Sequence, residues 1–231
     1  MNLGFRISDD QYLDKFDLGL VQISVWHGSE EDFERVGFLA EKLRDQKRRF
    51  VIHPSRLYLS ETRPEVREYY LRHLRKYASI SDLGLIVHDE TLAWGGRLQG
   101  VWAEAYRSAL TELEAICPVS IENAAYSPDA LWFWETFANS ITFDIGHFEA
   151  AGIDCLELIN RLSSDLVKKI QFIHLHRNNG PKEIGITDHW PLEEGCPEIG
   201  ILKTLLELKP DVMVILEIDG EEYLKRSILL L

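Results

Sequence analysis

The stretch ITFDIGHFEAAG, residues 141–152, ends an apolar run on an acidic residue, Asp144, and places a histidine, His147, three positions later. Its first three residues are β-branched or aromatic, which predicts a short buried strand. Gly146 would let the backbone turn sharply just after that strand. Asp144 therefore lies where the strand ends, either as a metal ligand or as the N-cap of a following helix.

The same arrangement, a short apolar run that ends on a residue able to bind a metal ion, recurs along the chain. Residues 50–52 are Phe-Val-Ile and precede one histidine, and residues 85–87 are Leu-Ile-Val and precede another. Chance would place one such residue at a strand end far more readily than six. The pattern therefore predicts a single site on which six strand ends converge. The six residues are His53, His88, Glu122, Asp144, His174 and Glu217.

Predicted strands alternate with predicted helices along the whole chain. The strands are residues 1–8, residues 18–26 and the six runs that end on the residues just named. The helices are residues 31–45, 64–77, 102–116, 128–138, 155–168 and 197–208, with another from residue 221. Eight such strands predict an α/β protein whose parallel sheet closes into a (β/α)8 TIM barrel. In these barrels the C-terminal strand ends carry the active site.

An open, doubly wound sheet is the competing architecture. Such a sheet usually binds its ligand at one switch point, through a glycine-rich turn. The glycine-rich piece at 94–97, Trp-Gly-Gly-Arg, lacks the spacing of a phosphate-binding loop. Only a closed barrel brings six strand ends to a common centre, so the sequence favours the barrel.

Length and composition fit one barrel domain over residues 1–231. The chain has 231 residues, 45% of them hydrophobic, and α/β barrels often run to about 200–250 residues as one domain. A net charge of −13 argues against the polyanionic backbone of nucleic acid as a partner. Neither a signal-peptide pattern nor a membrane-spanning run is present, and the three cysteines are far apart. These features predict a cytoplasmic protein without membrane association.

Two further histidines, His147 and His189, follow predicted strand ends and join the candidate ligands. The combined set offers imidazole and carboxylate groups and no thiolate. It suits Zn²⁺, Mn²⁺ or iron, whereas Mg²⁺ and Ca²⁺ sites are built from oxygen ligands. The sequence therefore predicts bound divalent metal ions, zinc or manganese. By contrast, His73 is expected to be an ordinary histidine on the outer helix 64–77.

The candidate ligands lie in the segments FVIH, LIVH, SIEN, FDIGH, FIHLH, DHWP and ILEID. In these segments the chain resembles the endonuclease IV-like, xylose isomerase-like TIM barrels, which include AP endonucleases of family 2, other metal-dependent phosphodiesterases, and sugar isomerases and epimerases. The resemblance extends over nearly the whole chain. For an isomerase it implies one metal ion, held by Glu122, Asp144, His174 and Glu217. For a phosphodiesterase it implies up to three ions.

The three-metal pattern divides the ligands among three ions, with Glu122 bridging the first two. It implies His53, His88 and Glu122 on the first ion, Glu122, Asp144, His174 and Glu217 on the second, and His147 and His189 with an acid on the third. The pattern expects this acid two positions before His189, but here Asp188 is adjacent to it. Either Asp188 reaches the ion through a shifted loop, or the third ion is weakly held or absent. The freedom of Gly185 favours the first alternative.

The presence of His53 and His88, which a one-metal isomerase does not require, favours a hydrolase that cleaves a phosphodiester with metal-activated water. Two or three ions per chain are expected, with Glu122 and Glu217 as catalytic residues. The acidic chain indicates a small-molecule substrate, and similarity to compact phosphodiesterases of cobamide remodelling implies the nucleotide loop of a cobamide. The alternative is a sugar isomerase or epimerase in which the two glutamates shuttle a proton.

Six side chains near strand ends are candidate contacts for phosphate, for substrate hydroxyls or for a stacked ring. They are Trp26, Arg56, His176, Arg177, Asn178 and Trp190. The arginines and the asparagine could equally pin loops, and the tryptophans could equally be packing residues at the barrel mouth. The sequence leaves the oligomeric state and the identity of the metal open.

Overall fold

The computed structural model describes residues 2–26, 28–93, 95–125, 127, 129–178 and 189–231, and its eight parallel strands close into a barrel in chain order. This confirms the predicted (β/α)8 barrel. The strands are β1 Asn2–Ile7, β2 Leu20–Val25, β3 Arg49–Pro54, β4 Leu85–His88, β5 Val119–Glu122, β6 Ser140–Asp144, β7 Ile170–Leu175 and β8 Met213–Leu216. The helices are α1 Glu30–Asp45, α2 Pro64–Ile80, α3 Gly100–Glu114, α4 Ala130–Phe137, α5 Ile145–Ala150, α6 Cys155–Arg161, α7 Ser164–Lys169, α8 Pro197–Leu208 and α9 Glu221–Ile228.

The inside of the barrel is filled in layers, because alternate residues of each strand point inward. One layer is apolar and includes Val51, Ile86, Phe172 and Ile215 in a single buried cluster. Two residues further along each of these strands comes a candidate metal ligand. The same alternation that buries the apolar layer therefore raises the ligands to the C-terminal end of the barrel.

The second hydrophobic cluster lies between the barrel and its helices. In α1 the buried residues Val36, Leu39, Ala40 and Leu43 recur at helical spacing and pack on the barrel wall. Ser29 caps the same helix by accepting a hydrogen bond from the amide of Asp32 at 3.0 Å. Among the described residues, no helix has both the length and the apolar content needed to cross a bilayer.

Two local predictions were wrong. The predicted helix 155–168 is two helices, α6 and α7, because Ser163 takes an extended conformation and caps a new helix through the amide of Leu166. Gly146 does not make a sharp turn, since it lies inside the short helix α5 that begins directly after Asp144. The alternative role of Asp144 as an N-cap is met by α5, although its six residues are too few to show a helical period in the sequence.

Candidate metal centre

Strand register brings the predicted ligands to one level of the barrel. His88 is paired with Glu122 on the adjacent strand, and Asp144 is paired with His174. The ligand atoms form three groups, and within each group they lie within 4.8 Å of one another. The groups are His53, His88 and Glu122; Glu122, Asp144, His174 and Glu217; and His147, His176 and His189.

Glu122 belongs to two of these groups and presents one carboxylate oxygen to each. Its Oε2 lies 3.0 Å from Nε2 of His53 and 3.4 Å from Nε2 of His88. Its Oε1 lies 2.7 Å from Nδ1 of His174. The side chain is completely buried at the centre of the barrel. A carboxylate oriented in this way can hold two cations at a fixed separation.

The first group has the arrangement expected of a metal site. Nδ1 of His53 lies 3.0 Å from the carbonyl oxygen of Ile86, to which it donates, so Nε2 faces Glu122. Burial lowers the pKa of His88, which keeps that ring neutral although 30% of its side chain is exposed. Oε2 of Glu122 is buried and accepts no hydrogen bond from the described residues. Two imidazole nitrogens and one carboxylate oxygen therefore face one point. Burial opposes protonation of His53, but Glu122 raises the pKa of His53, so this point favours positive charge, which fits a cation.

The second group surrounds His174, whose ring is completely buried. Its Nδ1 lies 3.6 Å from Oδ2 of Asp144 and 3.8 Å from Oε2 of Glu217, in addition to the short contact with Glu122. One imidazole and three carboxylates thus point to a common centre. This set of oxygen and nitrogen donors suits zinc, manganese or iron.

The three carboxylates of this group are ionised although they are buried. Burial opposes ionisation, but the surrounding histidines outweigh it and hold the pKa values of Glu122, Asp144 and Glu217 below their usual range. For Glu217, His174 has the largest lowering effect and Arg6 the next. Three negative charges confined in the barrel interior need cationic partners. Divalent ions would supply that charge.

Asp144 is both the N-cap of α5 and a member of the second group. Its Oδ1 accepts a hydrogen bond from the amide of His147 at 2.6 Å, which leaves Oδ2 directed at the imidazoles. Asn123 fixes the backbone of Asp144 through two hydrogen bonds of 2.8 and 2.9 Å. The sequence did not identify Asn123 as a positioning residue, although it follows Glu122 directly in the SIEN segment.

The third group consists of histidines, and His176 within it is already engaged with protein atoms. The amide of His189 donates to Nδ1 of His176 at 3.0 Å, so the ring proton lies on Nε2, which is 3.2 Å from Oδ2 of Asp144. The sequence placed His176 among the substrate contacts, but the structure buries it completely. Asp188, predicted to complete this group, lies outside the described residues.

Gly146 is required by the position of the His176 ring. A Cβ atom built at residue 146 would lie 2.1 Å from Cε1 and 2.3 Å from Nδ1 of that ring. Only glycine allows the imidazole to pack this closely on α5 and still reach Asp144. The glycine in FDIGH therefore serves the candidate metal centre by letting the His176 ring approach the backbone closely.

A cavity of about 310 Å³ opens above the first two groups. Two predicted substrate contacts, Trp26 and Arg56, line it, together with His53, His88, His147, His189 and Glu217. Arg56 has a positive φ of 62°, a strained conformation of the kind that is concentrated at functional sites. The sequence did not identify two other lining residues, Arg6 and Tyr58. Arg6 could have been found, since it lies on the inward face of β1 in the alternating run LGFRIS.

Three other predicted substrate contacts, Arg177, Asn178 and Trp190, lie on either side of the segment 179–188. Arg177 and Trp190 exchange backbone hydrogen bonds of 2.9 and 3.0 Å, and the Arg177 side chain pairs with Glu193. Together with Asn178, these residues border the segment 179–188 and are not among the described residues that line the cavity. His73 is also distant from the centre, buried in α2 with Nδ1 2.8 Å from the carbonyl oxygen of Tyr69.

Fold and site together define a (β/α)8 barrel with a cluster of histidine and carboxylate side chains at its C-terminal end. Solved structures share this fold at low sequence identity. A xylose isomerase domain-containing protein from Salmonella typhimurium LT2 is 14% identical, with 99% of this chain and 97% of that chain covered and a TM-score of 0.68. A Thermus thermophilus protein soaked with ZnCl2 is 20% identical, with 100% of this chain and 98% of that chain covered and a TM-score of 0.66.

A third structure with this fold is the D-psicose 3-epimerase of Clostridium cellulolyticum H10 with D-tagatose. It is 10% identical to this chain, with 93% of this chain and 84% of that chain covered and a TM-score of 0.60. No protein-family model and no curated protein sequence matches the chain. The resemblance inferred from the sequence segments is thus confirmed in the fold. These similarities concern the fold and do not distinguish one reaction from another.

Proposed function

We propose that this protein is a metal-dependent hydrolase that cleaves a phosphodiester bond in a small-molecule substrate. The observation that carries the proposal is the orientation of Glu122, whose two oxygens face two different groups of ligands. A one-metal enzyme would need only the group around His174. The first group, with His53 and His88, would bind the second ion of an enzyme in which two ions act together.

Two divalent ions held by these groups would activate water and neutralise charge on the phosphoryl oxygens. The chain's own residues supply the arrangement. Glu122 fixes the separation of the two groups, and Asn123 and His176 hold Asp144 in place. The cavity of about 310 Å³ is at the small end of the usual range for ligand pockets, which supports a small-molecule substrate. The nucleotide loop of a cobamide stays a prediction from the sequence resemblance.

A sugar isomerase or epimerase is the second candidate. The group of Glu122, Asp144, His174 and Glu217 is complete without His53 and His88. Two ionised glutamates in that group are the residues that would exchange a proton with a hydroxyketone. The fold shared with a D-psicose 3-epimerase supports this alternative to the same extent as the fold supports hydrolysis.

Alanine substitution of His53 and His88 separates the two candidates. For a phosphodiesterase, each substitution should remove about one metal ion per chain and lower hydrolysis of bis(4-nitrophenyl) phosphate by roughly 100-fold or more. The readouts are elemental analysis of the purified protein and the hydrolysis rate with added Zn²⁺ or Mn²⁺. The matched control is His73→Gln, because this histidine lies on α2, away from the centre, and should leave both readouts unchanged.

Three results would reject hydrolysis. One is a single ion per wild-type chain, and another is full metal content in the His53→Ala and His88→Ala proteins. The third is ketohexose isomerisation that survives both substitutions while the diester is not cleaved. The last result would establish the isomerase alternative.

A further inference from the structure

Arg6 is a buried arginine inside the cavity above the metal centre. Its side chain is 6% exposed and extends from the inward face of β1. One terminal nitrogen, Nη1, donates to Nε2 of His189 at 3.0 Å, and the other, Nη2, pairs with Asp219 at 2.5 Å. The guanidinium also lies 5.8 Å from the ring centroid of Trp26. Burying an arginine is costly, and here its charge is met by two carboxylates, the 78% exposed Asp219 and the buried Glu217.

The guanidinium lies next to the second ligand group. Oε2 of Glu217 is 3.8 Å from Nη1 of Arg6 and also 3.8 Å from Nδ1 of His174. A group bound at the centre of His174 and the carboxylates would therefore meet Arg6 on the cavity side. The guanidinium offers five N–H donors in a plane, and its hydrogen bonds to the described residues use one from each terminal nitrogen. Donors remain for a ligand in the cavity.

We propose that Arg6 binds an anionic oxygen of the substrate's phosphoryl group while that group lies at the metal centre. The proposal rests on the proposed function and adds a residue that recognises the phosphoryl group. A planar, permanently charged fork matches two oxygens of a phosphate, and the hydrogen bonds so formed are the strong, charge-assisted kind. A neutral sugar would gain little from a buried guanidinium. Trp26 and His189 hold the fork toward the cavity.

The test is the affinity of the metal-loaded protein for inorganic phosphate, measured by calorimetric titration. Arg6→Gln removes the charge and should weaken phosphate binding by about 10- to 100-fold. Arg6→Lys keeps the charge but loses the two-pronged geometry, so its affinity should fall between those of the other two proteins. Melting temperature and metal content of each variant show whether fold and metal centre are intact.

Asp219→Asn is the matched control, because it breaks the same ion pair and leaves the guanidinium in place. If Arg6 binds phosphate directly, this variant should bind phosphate at least as tightly as the wild type. If Arg6 only ties β1 to the segment after β8, Asp219→Asn and the Arg6 variants should weaken phosphate binding equally. That equality would overturn the proposal, as would unchanged phosphate affinity in Arg6→Gln. Should Arg6→Gln not fold, Arg6→Lys and Asp219→Asn give the same decision.

Failure of the proposed function would look different. If the protein binds phosphate through Arg6 but isomerises sugars and does not hydrolyse diesters, the anion site is supported and the hydrolase function is refuted. If the protein hydrolyses diesters but its phosphate affinity does not depend on Arg6, the hydrolase function is supported and the anion site is refuted.

Discussion

Gly146→Ala would place a methyl group where the His176 ring now packs against α5. The added Cβ would lie 2.1 Å from Cε1 of that ring. Carbon atoms in ordinary contact are about 3.5 Å apart, so the ring would have to move by more than about 1 Å. Its hydrogen bonds to Asp144 and to the amide of His189, now 3.2 and 3.0 Å, would then lengthen beyond bonding distance.

The expected cost follows from these contacts. Overpacking a buried site costs about 1–3 kcal/mol, and a buried polar group that loses its partner costs about 1–3 kcal/mol. We expect Gly146→Ala to lower the free energy of unfolding of the metal-free protein by about 4 kcal/mol, the middle of that combined range. Metal binding should weaken by about 10- to 100-fold, because Asp144 loses the imidazole that orients it.

Urea unfolding and titration of the metal-stripped protein with Zn²⁺ or Mn²⁺ measure the two effects. Gly200→Ala is the matched control, since Gly200 is an exposed glycine in α8 whose added Cβ would meet no atom within 4 Å. That substitution should stabilise the helix by up to about 1 kcal/mol and leave metal affinity unchanged. Comparison of the two variants separates the effect of the contact with His176 from the general effect of replacing glycine by alanine in a helix.

A double-mutant cycle with His176→Ala tests the cause. Once the ring is removed, Gly146→Ala should cost almost nothing further. If it costs as much in the His176→Ala background as in the wild type, the ring contact is not the reason for the glycine. Wild-type stability and metal affinity in the Gly146→Ala protein would refute the reasoning outright.

Two further predictions concern buried carboxylates. Burial raises the pKa of Glu90 from 4.5 to about 7 in spite of hydrogen bonds from Ser60 and Leu59. The carboxyl group therefore stays protonated to a higher pH in the folded protein than in the unfolded chain. Its contribution to stability should fall by roughly 3 kcal/mol as pH rises from about 4.5 to 7. In urea unfolding, Glu90→Gln should therefore gain stability over the wild type between pH 5 and pH 8, and a constant difference would contradict this. Glu122→Gln leaves one carbonyl oxygen for two groups, so elemental analysis should show at least one metal ion lost per chain, whereas an unchanged count would exclude a bridging role.

The sequence by itself determined the barrel and most of the candidate ligands. Both depend on a local rule, the alternation of inward and outward residues along a strand, which is visible within four or five positions. Phe172 fills the barrel interior and His174, two residues later, lies in the layer of ligands. The same rule repeated on several strands predicts convergence, because parallel strands end on the same side of a barrel.

Tertiary structure alone decided how the candidate ligands are arranged around one another. That Glu122 presents separate oxygens to His53 and to His174 depends on side-chain directions across three strands. Likewise, Arg6 joined the site because closure of the barrel pairs β1 with β8 and brings it to Glu217, near the other end of the chain. The close approach of the His176 ring explains the glycine of FDIGH, whereas the local backbone conformation does not. Local sequence patterns reveal the periodicity of the backbone. These contacts arise only when strands and loops that are distant in the sequence come together around a common centre.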